Sequence, residues 1–230
     1  MAMHAILEWL TGASPQPAQT LLGASERRMT SWLAASLPGD VEPVQMSLVG
    51  AVGAVVAAAA LMAASHWRWL VWVVPPAMGV NWLGLSVDLP LARQRRGGET
   101  SAEGMTHHLC EIFSHLLLIL AYGGSPFLTV RSATIILFCY LLFSSYVYIR
   151  AAARRAERMA FIGIGVTEFR LLLALWPLFA LAVDLPAMRD DALPAVDIAV
   201  MSLAGVAILG FVGKLVLDGR RIAAAPGREP

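Results

Sequence analysis

Six long apolar segments, joined by short connections, constrain this 230-residue chain more than any other feature of its sequence. A helix needs about 20 mostly apolar residues to cross the hydrocarbon core of a bilayer, which is about 30 Å thick. The segments that qualify are residues 46–64, 69–92, 105–122, 126–149, 160–183 and 192–216. Because backbone polar groups in lipid must be bonded within their own segment, the sequence predicts an all-α integral membrane protein with six transmembrane helices.

The composition favours the same fold class. Hydrophobic residues make up 58% of the chain, charged residues make up 14%, and the mean hydropathy is +0.67. Both cysteines, Cys110 and Cys139, lie in apolar segments, so no disulfide framework is predicted. No basic stripe interleaved with aromatic residues is present, and nucleic-acid binding is not expected. The expected partners are the lipid bilayer and, through the Gly- and Ala-rich first segment, other membrane proteins or a second copy of the chain.

The chain divides into three predicted regions. Residues 1–45 form an N-terminal cytoplasmic or interfacial segment, residues 46–217 form the transmembrane domain, and residues 218–230 form a disordered cytoplasmic tail. In the first region, SERRMTSWLAASL begins with a Ser cap and spaces Met29, Trp32, Leu33 and Leu37 at helical intervals. This pattern predicts an amphipathic helix at the membrane interface, and a soluble cap helix is the alternative.

The basic residues predict the orientation in the membrane. One side of the six-span topology carries thirteen of them: Arg27, Arg28, Arg93, Arg95, Arg96, Arg150, Arg154, Arg155, Arg158, Lys214, Arg220, Arg221 and Arg228. The opposite side carries only Arg68, Arg131 and Arg189, and Arg170 lies inside a span. By the positive-inside rule, both termini are predicted to face the cytoplasm.

Ionisable residues concentrate where the second and third segments approach the cytoplasm. Asp88 lies on the second segment, and His107, His108, Glu111 and His115 lie on the third. Each ionisable group at membrane depth costs about 2.5 kcal/mol or more unless it is paired, hydrated or bound to metal. Helical spacing on two antiparallel neighbours predicts that Asp88, His107 and Glu111 point into one cavity open to the cytoplasm. Their clustering therefore predicts a functional site.

Each of these residues also has a structural interpretation. Asp88 would form an ion pair with Arg93 at the cytoplasmic end of the same helix. His115 would be neutral and bonded to a backbone carbonyl. Glu168 and Arg170, in the fifth segment, are costly alone and are expected to pair with neighbouring groups or to line the same cavity.

Four motifs carry a resemblance to a known family. The second segment reads NWLGLSVDLPLAR, the third reads HHLCEIFSH, and YVYIR and GIGVTEFRLLLAL follow. Together they resemble the CDP-alcohol phosphotransferases over about residues 70–180. These enzymes make phospholipids by displacing CMP from a CDP-activated donor with an alcohol. Their signature, D-x-x-D-G-x-x-A-R and then G-x-x-x-D-x-x-x-D, is spread over the second and third of six helices.

The likeness is greatest to a bacterial branch that reads near N-W-F-G-D-S-L-D-G-T-L-A-R and D-H-V-V-D-A-F-S-E, which implies a bacterial inner-membrane location. The four family aspartates fall on Leu85, Asp88, His107 and Glu111, if one residue is dropped after Gly104. In the family the first three hold two divalent cations, usually Mg or Mn, and the fourth is the general base. The resemblance thus implies a metal site at Asp88, His107 and Glu111, with Glu111 as base.

Further signature positions concern the substrate. Ala92 and Arg93 are retained, and Arg150 ends the YVYIR motif, so the resemblance implies that these three residues bind substrate. Leu89 replaces the family glycine and places a branched side chain where the nucleotide approaches the backbone. Leu85 in place of an aspartate removes two oxygen ligands, and His107 in place of another favours Zn-like ions over Mg.

Four interpretations remain open. The first is a protein that keeps the fold, has lost the two-metal reaction and serves as a structural or accessory subunit of a membrane complex. The second is an active phospholipid synthase that uses one divalent metal. The third is a metal site of different chemistry that includes His115. The fourth is axial ligation of a haem or pigment by His107, His108 or His115.

Overall fold

The computed structural model describes residues 22–154, 166–183 and 194–223, except for the side chains of 147–154, 194, 218, 219 and 221–223. Within these ranges the chain forms seven α-helices, one short 3-10 helix and no strand. The helices are α1 (Gly23–Ser36), α2 (Pro43–Ala63), the 3-10 helix (Arg68–Val73), α3 (Val74–Arg96), α4 (Ser101–Gly123), α5 (Val130–Arg154), α6 (Val166–Ala182) and α7 (Pro194–Ala223). Residues 1–21, the start of the fifth predicted span and the end of the predicted tail lie outside the described residues.

The all-helical membrane class is confirmed in its coarse form. Four helical stretches are long and apolar enough to cross a membrane: Pro43–Ala63, Arg68–Arg96, Ser101–Gly123 and Ala195–Leu217. The apolar part of α5, Val130–Tyr146, is shorter, and α6 has 17 residues. The described residues therefore give four candidate spans rather than the six predicted. Helix α7 continues to Ala223, so helical structure extends into the region predicted as a disordered tail.

Helix α2 packs against both α3 and α4. Its contact with α3 involves backbone atoms, because Gly50 on α2 meets Gly84 on α3 and Gly53 meets the backbone of Ala77 and Asn81. A Cβ atom at Gly84 would lie 2.3 Å from the Gly50 nitrogen and 2.5 Å from the Met46 carbonyl oxygen. Small residues allow such close approach between membrane helices. In this chain, the Gly-rich face of the first predicted span is used for internal packing.

The connection from α3 to α4 is short and is fixed at both ends. Helix α3 ends at Gly97, whose φ of 74° is a left-handed conformation that glycine adopts without strain. Helix α4 begins with a capping box, in which the Thr100 side chain accepts from the Glu103 backbone N–H and the Glu103 carboxylate accepts from the Thr100 backbone N–H. A tight turn of this kind holds the C-terminal half of α3 and the N-terminal half of α4 side by side.

An apolar core fills the part of the bundle that lies away from the turn between α3 and α4. Its fully buried members come from several helices and include Leu61 on α2, Val74 on α3, Leu118 and Tyr122 on α4, and Leu173 on α6. The Tyr122 hydroxyl donates a hydrogen bond to the Leu173 backbone carbonyl, which links α4 to α6 inside the core. Helix α6 is thereby held against the helices that carry the polar cluster.

Helix α1 lies against α3. Its buried residues are the small or polar Gly23, Thr30 and Ala34, whereas Met29 and Trp32 are 47% and 66% exposed. The predicted helix is therefore present, but Met29 and Trp32 point away from the bundle, whereas Leu33 packs against a buried cluster that includes Ala34 and Leu91. Glu26 joins α1 to two other helices, because its Oε1 accepts from Thr167 Oγ1 at 2.6 Å and from Trp82 Nε1 at 3.3 Å.

Arg95 binds the chain between α1 and α2. Its guanidinium donates to the backbone carbonyls of four residues in this connection, Leu37, Pro38, Gly39 and Val41. These bonds give partners to backbone carbonyl groups of the irregular connection that follows α1.

We expect the Arg95→Ala variant to loosen this connection. Hydrogen bonds to a charged group are worth about 1.5–3 kcal/mol net, and losing about 1.4 kcal/mol of local stability would speed cleavage between α1 and α2 roughly tenfold. Limited proteolysis in detergent, with cleavage sites assigned by mass spectrometry, measures this rate. Arg93→Ala is the matched control, because Arg93 is exposed on the same helix. Equal cleavage rates in the two variants would refute the assigned role of Arg95.

Candidate functional site

A buried carboxylate–imidazole pair joins α3 to α4. Asp88 and His107 are 1% and 2% exposed, and Asp88 Oδ2 lies 2.7 Å from His107 Nδ1. Because a carboxylate only accepts hydrogen bonds, Nδ1 carries the hydrogen and Nε2 is directed away from Asp88. The same Oδ2 accepts from Ser47 Oγ on α2 at 2.6 Å, and Oδ1 accepts from the Leu89 backbone N–H at 2.7 Å. Asp88 therefore connects three helices and fixes the orientation of the imidazole.

Three potential metal ligands lie on one side of α4, next to this pair. Glu111 Oε2 is 3.9 Å from His107 Nε2 and 3.9 Å from His108 Nδ1. One ligand atom from each of these residues lies within 4.8 Å of the others. Glu111 follows His107 by four positions and His108 by three, and side chains at these two spacings are neighbours on a helix surface. The His108 side chain is 45% exposed, and the group therefore reaches the protein surface.

Arg170, on α6, pairs with Glu111 of this group. It is 4% exposed, and its Nη2 lies 3.4 Å from Glu111 Oε1. The sequence predicted that Arg170 would pair with a neighbouring group or line the same cavity, and in the structure it pairs with Glu111. Its partner is separated from it by 59 positions along the chain, so no helical periodicity could have identified the pair.

His115 lies one turn deeper on α4. It is 1% exposed, and its Nδ1 donates to the Glu111 backbone carbonyl at 2.8 Å, as the structural interpretation of the sequence predicts. The imidazole contacts the rings of Tyr140 and Phe169, with centroid distances of 5.0 and 5.6 Å, and these two rings also stack on each other. Its Nε2 has no hydrogen-bond partner among the described residues. These contacts make His115 a packed aromatic residue of the bundle, apart from the three ligand atoms.

A second polar connection lies two turns from Asp88 along α3. The Asn81 side-chain nitrogen donates to the Gly50 carbonyl at 2.8 Å and to Ser114 Oγ at 3.0 Å. Asn81 is fully buried. Asn81 and Asp88 are both buried on α3. The sequence did not identify Ser47 as a member of the site, because a lone serine in an apolar segment carries no signal of its own.

Other predicted residues lie outside the cluster. Ala92 is fully buried and Arg93 is exposed, and Asp88 and Arg93 form no ion pair with each other. Asp88 is paired with His107 instead, so the predicted cytoplasmic-end ion pair is wrong. Glu168 Oε1 accepts from the Leu22 backbone N–H at 3.0 Å, at the start of α1. The side chain of Arg150 lies outside the described residues.

The donor set does not fit two hard divalent cations. Mg²⁺ takes six oxygen ligands in near-octahedral geometry, whereas the described side chains here offer two carboxylates. Three of their four oxygens already accept hydrogen bonds, namely Asp88 Oδ1, Asp88 Oδ2 and Glu111 Oε1. Leu85, at the position of the first family aspartate, is 3% exposed and packs against Gly50. The fourth oxygen, Glu111 Oε2, lies 3.9 Å from a ring nitrogen of each of the two histidines.

Comparisons with models of known protein families, with curated proteins and with solved structures find no match to this chain.

Proposed function

We propose that this chain is a six-span membrane protein on a CDP-alcohol-phosphotransferase-like scaffold, which does not catalyse the two-metal reaction and serves as a structural or accessory subunit of a membrane complex. The observation that supports this proposal is the use of the carboxylates. Asp88 binds Ser47, His107 and the Leu89 backbone, and Glu111 pairs with Arg170. Phosphoryl transfer from a nucleotide diphosphate depends on cations that neutralise the phosphates, and these oxygens are committed to protein groups.

The proposed topology has both termini in the cytoplasm of a bacterium and the chain in its inner membrane. In this arrangement α1 lies at the cytoplasmic interface, with exposed Met29 and Trp32 in contact with lipid. Trp67, Trp69 and Trp72 surround the start of the second span at the opposite end of the bundle and are 61%, 65% and 67% exposed. Tryptophans are enriched at both interfaces of a bilayer, which supports this placement.

The accessory role rests on the outer surface of the bundle as well. Helix α7 packs mainly against α5, and its Leu203, Val206 and Leu209 are 70%, 70% and 73% exposed. This apolar face is available to lipid or to another membrane protein. We propose that a partner subunit contacts it.

The enzymatic part of the proposal is tested by CMP release. We expect the purified protein in lipid nanodiscs, given CDP-diacylglycerol or a CDP-alcohol with an acceptor and Mg²⁺ or Mn²⁺, to release no CMP above the rate of empty nanodiscs. An active CDP-alcohol phosphotransferase in the same nanodiscs serves as the positive control. CMP released in proportion to the protein would contradict the proposal.

The accessory part is tested separately by purification in mild detergent. We expect a partner membrane protein to co-purify in a fixed ratio and to be lost from a Val206→Arg variant, which places a charge on the exposed face of α7. A Leu83→Ala variant, altered on α3 instead, should retain the partner. A chain that elutes alone as a monodisperse species would argue against an accessory subunit.

A second candidate is an active phosphotransferase with a single altered metal site. The observation that favours it is the orientation of His107, whose Nδ1 is held by Asp88 so that Nε2 faces Glu111. In this alternative, Asp88, His107 and Glu111 bind the metal, and Glu111 also acts as the general base. The CMP assay distinguishes it from the first candidate when Zn²⁺ is added to the set of cations.

A further inference from the structure

We propose that His107, His108 and Glu111 bind one transition-metal cation of the Zn²⁺ class, with Asp88 and Arg170 positioning two of the three ligands. This assignment differs from the ligand set expected from sequence in two respects. Asp88 holds His107 and does not itself face the other ligand atoms, and His108 takes its place. The proposal does not depend on the function proposed above.

The geometry is close to that of a bound site. Three atoms within 4.8 Å of one another share a point that is at most about 2.8 Å from each, whereas bonds from Zn²⁺ to histidine nitrogen are about 2.0–2.1 Å long. Each ligand atom would therefore move by less than about 1 Å to reach the ion. All three residues lie on α4, so small side-chain rotations suffice and the helix need not bend.

The donor chemistry selects the class of metal. Two imidazole nitrogens and one carboxylate oxygen suit Zn²⁺ and similar ions, whereas Mg²⁺ and Ca²⁺ require more oxygen ligands. Two histidines and one glutamate are also a ligand set that leaves a fourth position open in zinc proteins. The His108 side chain is 45% exposed, so the ligand group lies next to the protein surface.

The surrounding groups favour a cation and hold its ligands in place. Metal-binding histidines usually donate their second ring N–H to a carboxylate, which fixes the tautomer and orients the other nitrogen. Asp88 does this for His107, at 2.7 Å from Nδ1. Arg170 pairs with Glu111 Oε1, so that Oε2 is directed toward the imidazoles. With neutral histidines, the two carboxylates and the guanidinium carry one net negative charge, which a cation offsets at low dielectric.

The experiment measures metal directly. Full-length protein purified in detergent from zinc-supplemented cells is analysed by inductively coupled plasma mass spectrometry, and the chelator-stripped protein is titrated with Co²⁺ while its visible absorption is followed. We expect one Zn²⁺ per chain and a saturable cobalt spectrum with a stoichiometry of one. A chain without stoichiometric zinc that gives no cobalt spectrum would overturn the proposal.

Two variants and one control locate the site. His108→Ala removes a half-exposed ligand with little effect on packing and should weaken Co²⁺ binding at least tenfold. Asp88→Asn keeps all three ligands but loses the carboxylate that holds His107, and should weaken binding by about 10–100-fold. His66→Ala removes an exposed histidine elsewhere and should bind as the unmodified chain does. Equal affinity in the His108→Ala and His66→Ala variants would refute the site.

Metal content and CMP release are read independently. A chain that binds one zinc and also releases CMP would support this metal site and contradict the accessory function. A chain that binds no metal and releases no CMP would refute the metal site while leaving the proposed function standing.

Discussion

The Gly84→Ala variant is expected to lose the native packing of α2 against α3. The added methyl group would lie 2.3 to 2.6 Å from three backbone atoms of α2, belonging to Gly50 and Met46. Backbone atoms of a helix cannot move aside individually, so the two helices would have to separate along their contact. Overpacking usually costs about 1–3 kcal/mol, and we expect the cost here to be at least about 3 kcal/mol because no side chain can yield.

Thermal unfolding in detergent measures this effect. Cys110 is buried, so its labelling by a thiol-reactive fluorophore reports the opening of the bundle. Gly79→Ala is the matched control on the same helix, because a Cβ atom at Gly79 would meet no atom within 4 Å. Alanine is favoured over glycine in a helix by about 0.5–1 kcal/mol, so this control should be neutral or slightly stabilised. If both variants labelled at the same temperature, the backbone contact between α2 and α3 would not be present as described.

The Asp88→Ala variant is expected to have the second large effect. It would leave the Ser47 hydroxyl and the His107 Nδ1–H without the oxygen that accepts from both. Removing one partner of a buried polar pair typically costs about 3–5 kcal/mol, because the remaining group is desolvated and uncompensated. A loss of this size would affect the contacts of α3 with both α2 and α4.

A double-mutant cycle tests whether the loss arises from the pair. We expect Asp88→Ala and His107→Leu to be much less destabilising together than the sum of their separate effects, because the second change removes the group that the first leaves unpaired. Glu99→Ala, which removes an exposed carboxylate in the loop between α3 and α4, should leave the unfolding temperature unchanged. Additive effects in the cycle would show that Asp88 and His107 stabilise the fold separately.

Part of the candidate site could be predicted from residue spacing. Asp88 and His107 flank a short polar loop, so two antiparallel helices bring them together, and the 2.7 Å contact agrees with that reasoning. The predicted cavity included His107 and Glu111 but not His108, yet His108 Nδ1 comes within 3.9 Å of Glu111 Oε2. Periodicity gives only the direction in which each Cβ atom points. The side-chain rotamers then decide where the ends of long side chains lie, and side chains three or four positions apart can meet.

Other members of the site could not be predicted from the sequence, because their partners lie on other helices. Ser47 and Arg170 belong to α2 and α6, and their partners on α3 and α4 are 41 and 59 positions away along the chain. Nothing in the local sequence around either residue specifies which neighbouring helix it meets. The predicted ion pair between Asp88 and Arg93 is wrong for the same reason, because Asp88 pairs with His107 on another helix.

The sequence by itself determined that this is a helical membrane protein, because apolar segments of this length satisfy their backbone hydrogen bonds in lipid only as helices. It also determined that ionisable groups cluster at the ends of the second and third spans. The tertiary structure alone decided how those groups are used. The close approach at Gly84 sets the distance between α2 and α3, which brings Ser47 to Asp88, commits that carboxylate to hydrogen bonds and turns the His107 Nε2 atom toward Glu111.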